Sequence, residues 1–104
     1  MDKIEIIERI SRCRTMANLT ARALSQKIEL NDGYINRLES KKDFLPSVEV
    51  LMRIIEACNV VPEKFFYPNM EQFDLDMQLL DKVKRLDAQS KSLVADLADK
   101  ILER

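Results

Sequence analysis

Residue types that make and break covalent bonds are scarce in this 104-residue chain. It has no histidine, which removes the Ser-His and Cys-His pairs that raise a nucleophile at neutral pH. Its two cysteines, Cys13 and Cys58, are far apart in sequence and form no CxxC pair. A structural zinc site takes four ligands, usually Cys and His. No metal and no cofactor is therefore expected, and the two thiols read as small apolar core groups. The single glycine, Gly33, rules out a glycine-rich phosphate loop. Carboxylates fall on exposed helix faces beside basic neighbours and read as solvated charge. The chain is not expected to be an enzyme. The chemistry left to it is non-covalent: hydrogen bonds and ion pairs from the polar and cationic side chains between Thr20 and Lys42.

Composition sets the frame that must hold those side chains. Apolar residues make up 46% and charged residues 34%, with the charge signs interleaved, as in a folded domain rather than a disordered tail. No apolar run approaches the ~20 residues that cross a bilayer. The start, Met1-Asp2-Lys3-Ile4-Glu5, does not read as a signal peptide, so no membrane association and a cytoplasmic protein are expected. The net charge is −1. Residues 1–45 carry nine Lys/Arg against seven Asp/Glu, and residues 46–104 carry eight against eleven. The first part therefore holds a slight basic excess and the second an acidic one.

Helical spacing dominates, and strand alternation is nowhere sustained. Ile4, Ile7, Ile10, Cys13 and Met16 define one face of a first helix, closed by Asn18 and Leu19. Thr20 reads as the N-cap of a second helix, Ala21 to Ile28, with Ala23, Leu24 and Ile28 inward. After Glu29-Leu30, Asn31 is the expected cap of a third helix reaching Glu39, with Tyr34, Ile35 and Leu38 along it. Ser40 to Leu45 is expected as a loop. Pro46 and Ser47 start a fourth helix carrying Val48, Leu51, Ile54, Ile55 and Cys58, and Asn59 is its left-handed terminator. Pro62 opens a short fifth helix ending at Phe65-Phe66, both expected in the core. Tyr67-Pro68-Asn69 is the predicted boundary. Beyond it, Phe73, Leu75, Met77, Leu79, Leu80, Val83 and Leu86 mark one amphipathic stretch. Asp87 caps a last helix with Leu93, Val94, Leu97, Ile101 and Leu102.

Two short helices joined by a tight turn, with Leu24, Ile28, Leu30, Ile35 and Leu38 apolar and Ser25 small where the helices cross, make a helix-turn-helix unit. The run LTARALSQKIELNDGYINRLESKKDFLPSVEVLMRIIEACNVVPEKFF, Leu19 to Phe66, resembles the phage repressor and Cro-type, or XRE-like, helix-turn-helix family. The resemblance implies an all-α fold: a five-helix lambda-repressor-like DNA-binding domain over residues 1–67, followed over 68–104 by one or two helices for packing or dimerisation. It implies a sequence-specific transcriptional regulator, a repressor by expectation, whose partner is double-stranded DNA and which acts as a homodimer. Asn31–Glu39 is then the recognition helix. Thr20 and Ala21 fall where the first motif helix meets a phosphate. Asn31, Asp32, Gly33, Asn36 and Arg37 fall at DNA-facing positions. Lys41 and Lys42 fall in a backbone-gripping loop, and Arg14 and Glu39 match a partly buried salt bridge. Tyr34 is expected to be half-buried, with its hydroxyl free for a phosphate.

The chain departs from the family pattern at several of these positions. Glu29 stands where glycine is common in the turn, and Lys41 replaces a common loop glycine. Asp32 can accept from cytosine N4 but repels phosphate, Gly33 has no side chain to read with, and Phe44-Leu45 is apolar where the loop is often basic. These departures keep a second function in view: a protein-interaction module with a protein partner, or an antitoxin that binds both DNA and protein.

Overall fold

Most helices begin where a side-chain oxygen accepts from a first-turn amide or a proline removes one. The computed structural model describes residues 1–104 and contains α1 (Lys3–Met16), α2 (Ala21–Lys27), α3 (Tyr34–Lys41), α4 (Val48–Ala57), α5 (Pro62–Phe65), a 3₁₀ turn (Met70–Gln72), α6 (Phe73–Lys84) and α7 (Ala88–Leu102), with no strand. Asp2, Thr20, Ser47 and Asp87 cap α1, α2, α4 and α7 by accepting from Glu5, Ala23, Val50 and Ser90 amides. Pro62 opens α5 without a side-chain cap. The chain divides into two compact units, Met1–Pro68 and Asn69–Arg104.

The ends of α1, α2, α3 and α4 share one device. Asn18, Glu29, Lys42 and Asn59 all have positive φ, between 55° and 62°. After three of them the next amide reaches back into the helix: Leu19 to the Arg14 carbonyl, Leu30 to Ser25 and Val60 to Ile55. This reversal caps the final carbonyls and is usually made by glycine. Asparagine tolerates it, whereas glutamate and lysine carry a Cβ penalty there. The family pattern puts its loop-glycine position at Lys41. The structure puts it at Lys42, because α3 continues through Ser40 and Lys41 instead of ending at Glu39.

The core of the first unit takes Ile7, Ile10 and Cys13 from α1, Leu24 from α2 and Ile28 just after it. Ile35 and Leu38 come from α3, Leu51, Ile54 and Ile55 from α4 with Cys58 at its end, and Phe65 from α5. Ala23 is only half-buried, and four expected core residues are exposed. Ile4 and Met16 are at the two ends of α1 and exposed, because a 14-residue helix, about 21 Å long, overshoots the core at both ends. Val48 is the most exposed of the four, at 73%, on the overhanging first turn of α4. Phe66 is exposed while Phe65 is fully buried: successive helical residues point about 100° apart, so only one can face inward. The two rings meet edge to face at 5.0 Å.

Cys13 and Cys58 are both buried, and neither is in a disulfide. Burial pushes the Cys58 thiol up to about 11 and raises Cys13 as well, so both remain neutral thiols within the apolar interior. Arg9 is also in the interior, at 8% exposure. Its guanidinium donates to the backbone carbonyls of Phe65, Tyr67 and Pro68, tying the segment after α5 back to α1. Glu5, one turn earlier, lies 3.9 Å from the same guanidinium.

In the second unit, α6 and α7 are amphipathic by spacing yet bury no residue. Leu93, Val94, Leu97 and Ile101 share one side of α7 at three- and four-residue spacing, and all are exposed, as are Leu75 and Leu79 on α6. No helix of the chain is long and apolar enough to cross a membrane.

Candidate nucleic-acid interface

The motif helices α2 and α3 are locked together by one hydroxyl. Ser25, fully buried on α2, donates to the Ala21 carbonyl at 2.8 Å and accepts from the Ile35 amide at 3.0 Å. That amide belongs to the first turn of α3 and has no intrahelical acceptor. The N-cap of α3 is Gly33, which offers no side chain, so the cap is supplied across the interface from α2. The sequence showed that Ser25 had to be small; it did not show this cap, which only the crossing of the two helices creates. Ser25→Ala leaves a buried amide unsatisfied, so thermal melts should show a loss of about 1–2 kcal/mol, with Ser25→Thr unable to restore it in so tight a space.

Asn31 does not cap α3. Its side-chain oxygen accepts from the Gly33 amide at 2.9 Å, and its carbonyl accepts from the Tyr34 amide at 2.9 Å. This is a turn built by the Asn side chain on its own backbone. It uses up the first three positions of the expected recognition helix, which therefore runs Tyr34–Lys41 rather than Asn31–Glu39. Gly33 has φ −91°, and an added Cβ would meet only Asn31 Oδ1, at 3.5 Å. The fold itself does not require glycine there.

The foot of the motif is an open concavity lined by Thr20, Ala21, Arg22, Asp32, Gly33 and Asn36. Thr20 Oγ1 accepts from the Ala23 amide at 3.0 Å, so its proton is left to donate outward. Arg22, which the sequence reading did not nominate, forms an ion pair with Asp32 at 3.3 Å, and Gln26 reaches the same carboxylate at 3.4 Å. Both charges are largely exposed, and such a pair contributes little to stability. Its effect is on the surface potential, because the arginine enters the concavity already accompanied by an anion.

Further along α3, Asn36 and Arg37 are exposed, and so are Lys41 at its end and Lys42 beyond it. Tyr34 is half-buried; burial raises its phenol, opposed by the nearby Arg37 charge. The left-handed Lys42 turns the chain so that Phe44 returns onto α3. Its ring lies edge to face with Tyr34, centroids 5.8 Å apart at 68°, and the Arg37 guanidinium carbon lies 5.8 Å from the Phe44 centroid.

Behind α3, Arg14 and Glu39 form a two-pronged contact. Arg14 Nε and Nη2 donate to the two Glu39 carboxylate oxygens, each at 2.8 Å, and Nη1 donates to the Leu19 carbonyl at 2.9 Å. Donating to the Glu39 carboxylate raises the Arg14 pKa further. One guanidinium thus joins α1, the turn before α2 and the second half of α3.

Five helices with a locked α2–α3 pair at their front define a lambda-repressor-like helix-turn-helix domain. A helix-turn-helix family model matches residues 10–66, more than half of the chain, and the protein belongs to this XRE-type family of DNA-binding regulators. No curated protein and no solved structure matches it.

Proposed function

We propose that the chain is a sequence-specific, duplex-DNA-binding transcriptional repressor that presents α3 to the major groove. The observation that carries this reading is the arrangement of one rigidly held helix with Asn36 and Arg37 exposed along it and Lys41-Lys42 at its end. An amide and a guanidinium can address base edges, while two ammonium groups and the Thr20 hydroxyl address phosphates. Ala21, Asn31, Asp32, Gly33 and Tyr34 complete the proposed contact surface: Ala21 and Gly33 by close backbone approach, Asn31 and Tyr34 as polar rim, and Asp32 as an acceptor for cytosine N4.

The proposed repressor acts as a homodimer through residues 68–104. The exposed Leu93, Val94, Leu97 and Ile101 on α7 support this, since aligned apolar residues on an amphipathic helix gain from burial against another apolar surface. Two-fold symmetry would match a near-palindromic site and double its contacts. Exposed Leu45 in the loop after α3, and Val48 and Met52 on α4, favour the second reading, a protein-binding module or antitoxin, since apolar side chains suit a protein partner.

Fluorescence anisotropy with a randomised duplex pool, at low and physiological salt, tests the reading. Binding should weaken steeply with salt, because phosphate contacts release counterions. It should be lost in the Asn36→Ala/Arg37→Ala/Lys41→Ala/Lys42→Ala variant. Light scattering on the same samples should give a dimer mass at micromolar concentration that Leu97→Glu reduces to the monomer. A folded wild type that ignores duplex DNA at low salt would transfer the assignment to the protein-binding module.

A further inference from the structure

Arg37 differs from Arg14 on α1 and Arg22 on α2. Arg14 is bound by Glu39, and Arg22 is accompanied by Asp32. No carboxylate of the chain pairs with Arg37; its partner is the face of Phe44. A ring quadrupole holds a guanidinium through its flat surface and leaves the N–H donors at the rim unused. A carboxylate in the same place would consume two of those donors.

We infer that Phe44 is a positioning residue that holds Arg37 as a ready-made fork for a guanine edge. The claim rests on the DNA-binding reading above and deepens it at one residue. Three features of the chain converge on the contact. Lys42 adopts a left-handed conformation that no glycine relieves, and this bend brings the following segment back over α3. Phe44 is partly buried, although it lies in a loop between two exposed charged residues and Leu45. Tyr34, one turn before Arg37 on the same face of α3, meets the ring edge-on and fixes its tilt. Tyr34, Phe44 and Arg37 therefore form a short stack along the exposed side of α3, anchored by the aromatic pair at one end and ending in a cation with free donors.

A fixed guanidinium fork matches the O6 and N7 acceptors of guanine, which lie side by side in the major groove. A mobile arginine would settle on the nearest phosphate as readily as on a base. The ring thus decides which of the two chemistries Arg37 performs. A base-reading arginine contributes to sequence preference and little to the salt slope, whereas a phosphate-binding one does the reverse.

The experiment compares wild type, Phe44→Leu, Phe44→Tyr, Arg37→Ala and the double variant Phe44→Leu/Arg37→Ala. Duplexes are selected from a random pool with the wild type, and each base pair is then varied singly. Every variant is melted first, and binding is measured well below the lowest midpoint. We expect Phe44→Leu to flatten the preference at one G·C pair by about tenfold, the discrimination a bidentate contact supplies, with a salt slope that holds or steepens by up to one phosphate as the released arginine turns to the backbone. Phe44→Tyr, which keeps the ring face, should retain the preference. Phe44→Leu should add nothing in the Arg37→Ala background. A Phe44→Leu protein that is folded and keeps the full preference overturns the inference, as does a salt slope that falls by one phosphate. If Phe44→Leu does not fold, loss of the preference in Phe44→Tyr overturns it equally. Wild type that fails to bind duplex DNA in a salt-sensitive manner refutes the underlying reading, and the inference with it. Wild type that binds with no G·C preference sensitive to Arg37 refutes the inference alone.

Discussion

Arg14→Ala should lower the unfolding free energy by about 3 kcal/mol, near the lower end of the range for breaking a buried ion pair by removing one partner. Both side chains are shielded, at 21% and 17% exposure, so solvent screening is weak. The substitution leaves the Glu39 carboxylate without its two 2.8 Å donors and the Leu19 carbonyl without its side-chain partner. For a domain of this size that corresponds to a fall in melting midpoint of more than about 10 °C. Glu39→Ala should cost a similar amount, and the double variant should recover part of the loss, because two uncompensated groups disappear together. Loss of less than about 1 kcal/mol in Arg14→Ala would show the pair to behave as an exposed surface bridge. Raising salt should change little in the wild type, since shielded pairs are poorly screened.

The second large effect concerns Arg9. Its guanidinium serves the carbonyls of Phe65, Tyr67 and Pro68, three acceptors that neither helix nor sheet satisfies. Arg9→Ala removes the donors and opens space beneath the end of α5. The expected loss is about 3 kcal/mol, since each hydrogen bond from a charged donor contributes roughly 1.5–3 kcal/mol and unmet carbonyls add to the deficit. Arg9→Lys should rescue little, because an ammonium is a compact point charge and cannot span three carbonyls as a planar fork does. Hydrogen exchange would locate the effect: the amides of α5 after Pro62, with those of Phe66 and Tyr67, should lose protection first. A melting midpoint unchanged in Arg9→Ala would mean that water replaces the guanidinium without loss.

The two arginines differ in how far the sequence discloses them. Arg14 and Glu39 are recognisable because each stands at a position of a known repressor pattern. Arg9 matches nothing, and its partners are backbone carbonyls, which leave no mark in a sequence. The same contrast holds throughout the first unit. Thr20, Ser47 and Asp87 declared their caps, because a cap is made with amides two or three residues away. Asn31 has the same chemistry but spends it on a turn, which moved the start of α3 to Tyr34. Ser25, the Arg22–Asp32 pair and the Arg37–Phe44 contact all depend on how separate segments cross, so periodicity could not reveal them. Apolar spacing named most of the core correctly and failed at Ile4, Met16, Val48 and Phe66, where helix ends overrun the interior. Spacing reports which face of a helix is apolar, but not how far along its axis the core extends.

The Arg22–Asp32 pair has a kinetic consequence if the chain works as proposed. A polyanion approaching the motif meets an arginine whose own counterion is part of the protein. Fewer mobile ions are released when that arginine reaches a phosphate, so the entropic gain that drives indiscriminate adhesion is smaller. The net charge of −1 acts in the same direction. Such a protein would spend little time parked on random duplex, and a large fraction of its copies would remain free to search. The acid that weakens the grip everywhere thereby shortens the wait at the one site that matters.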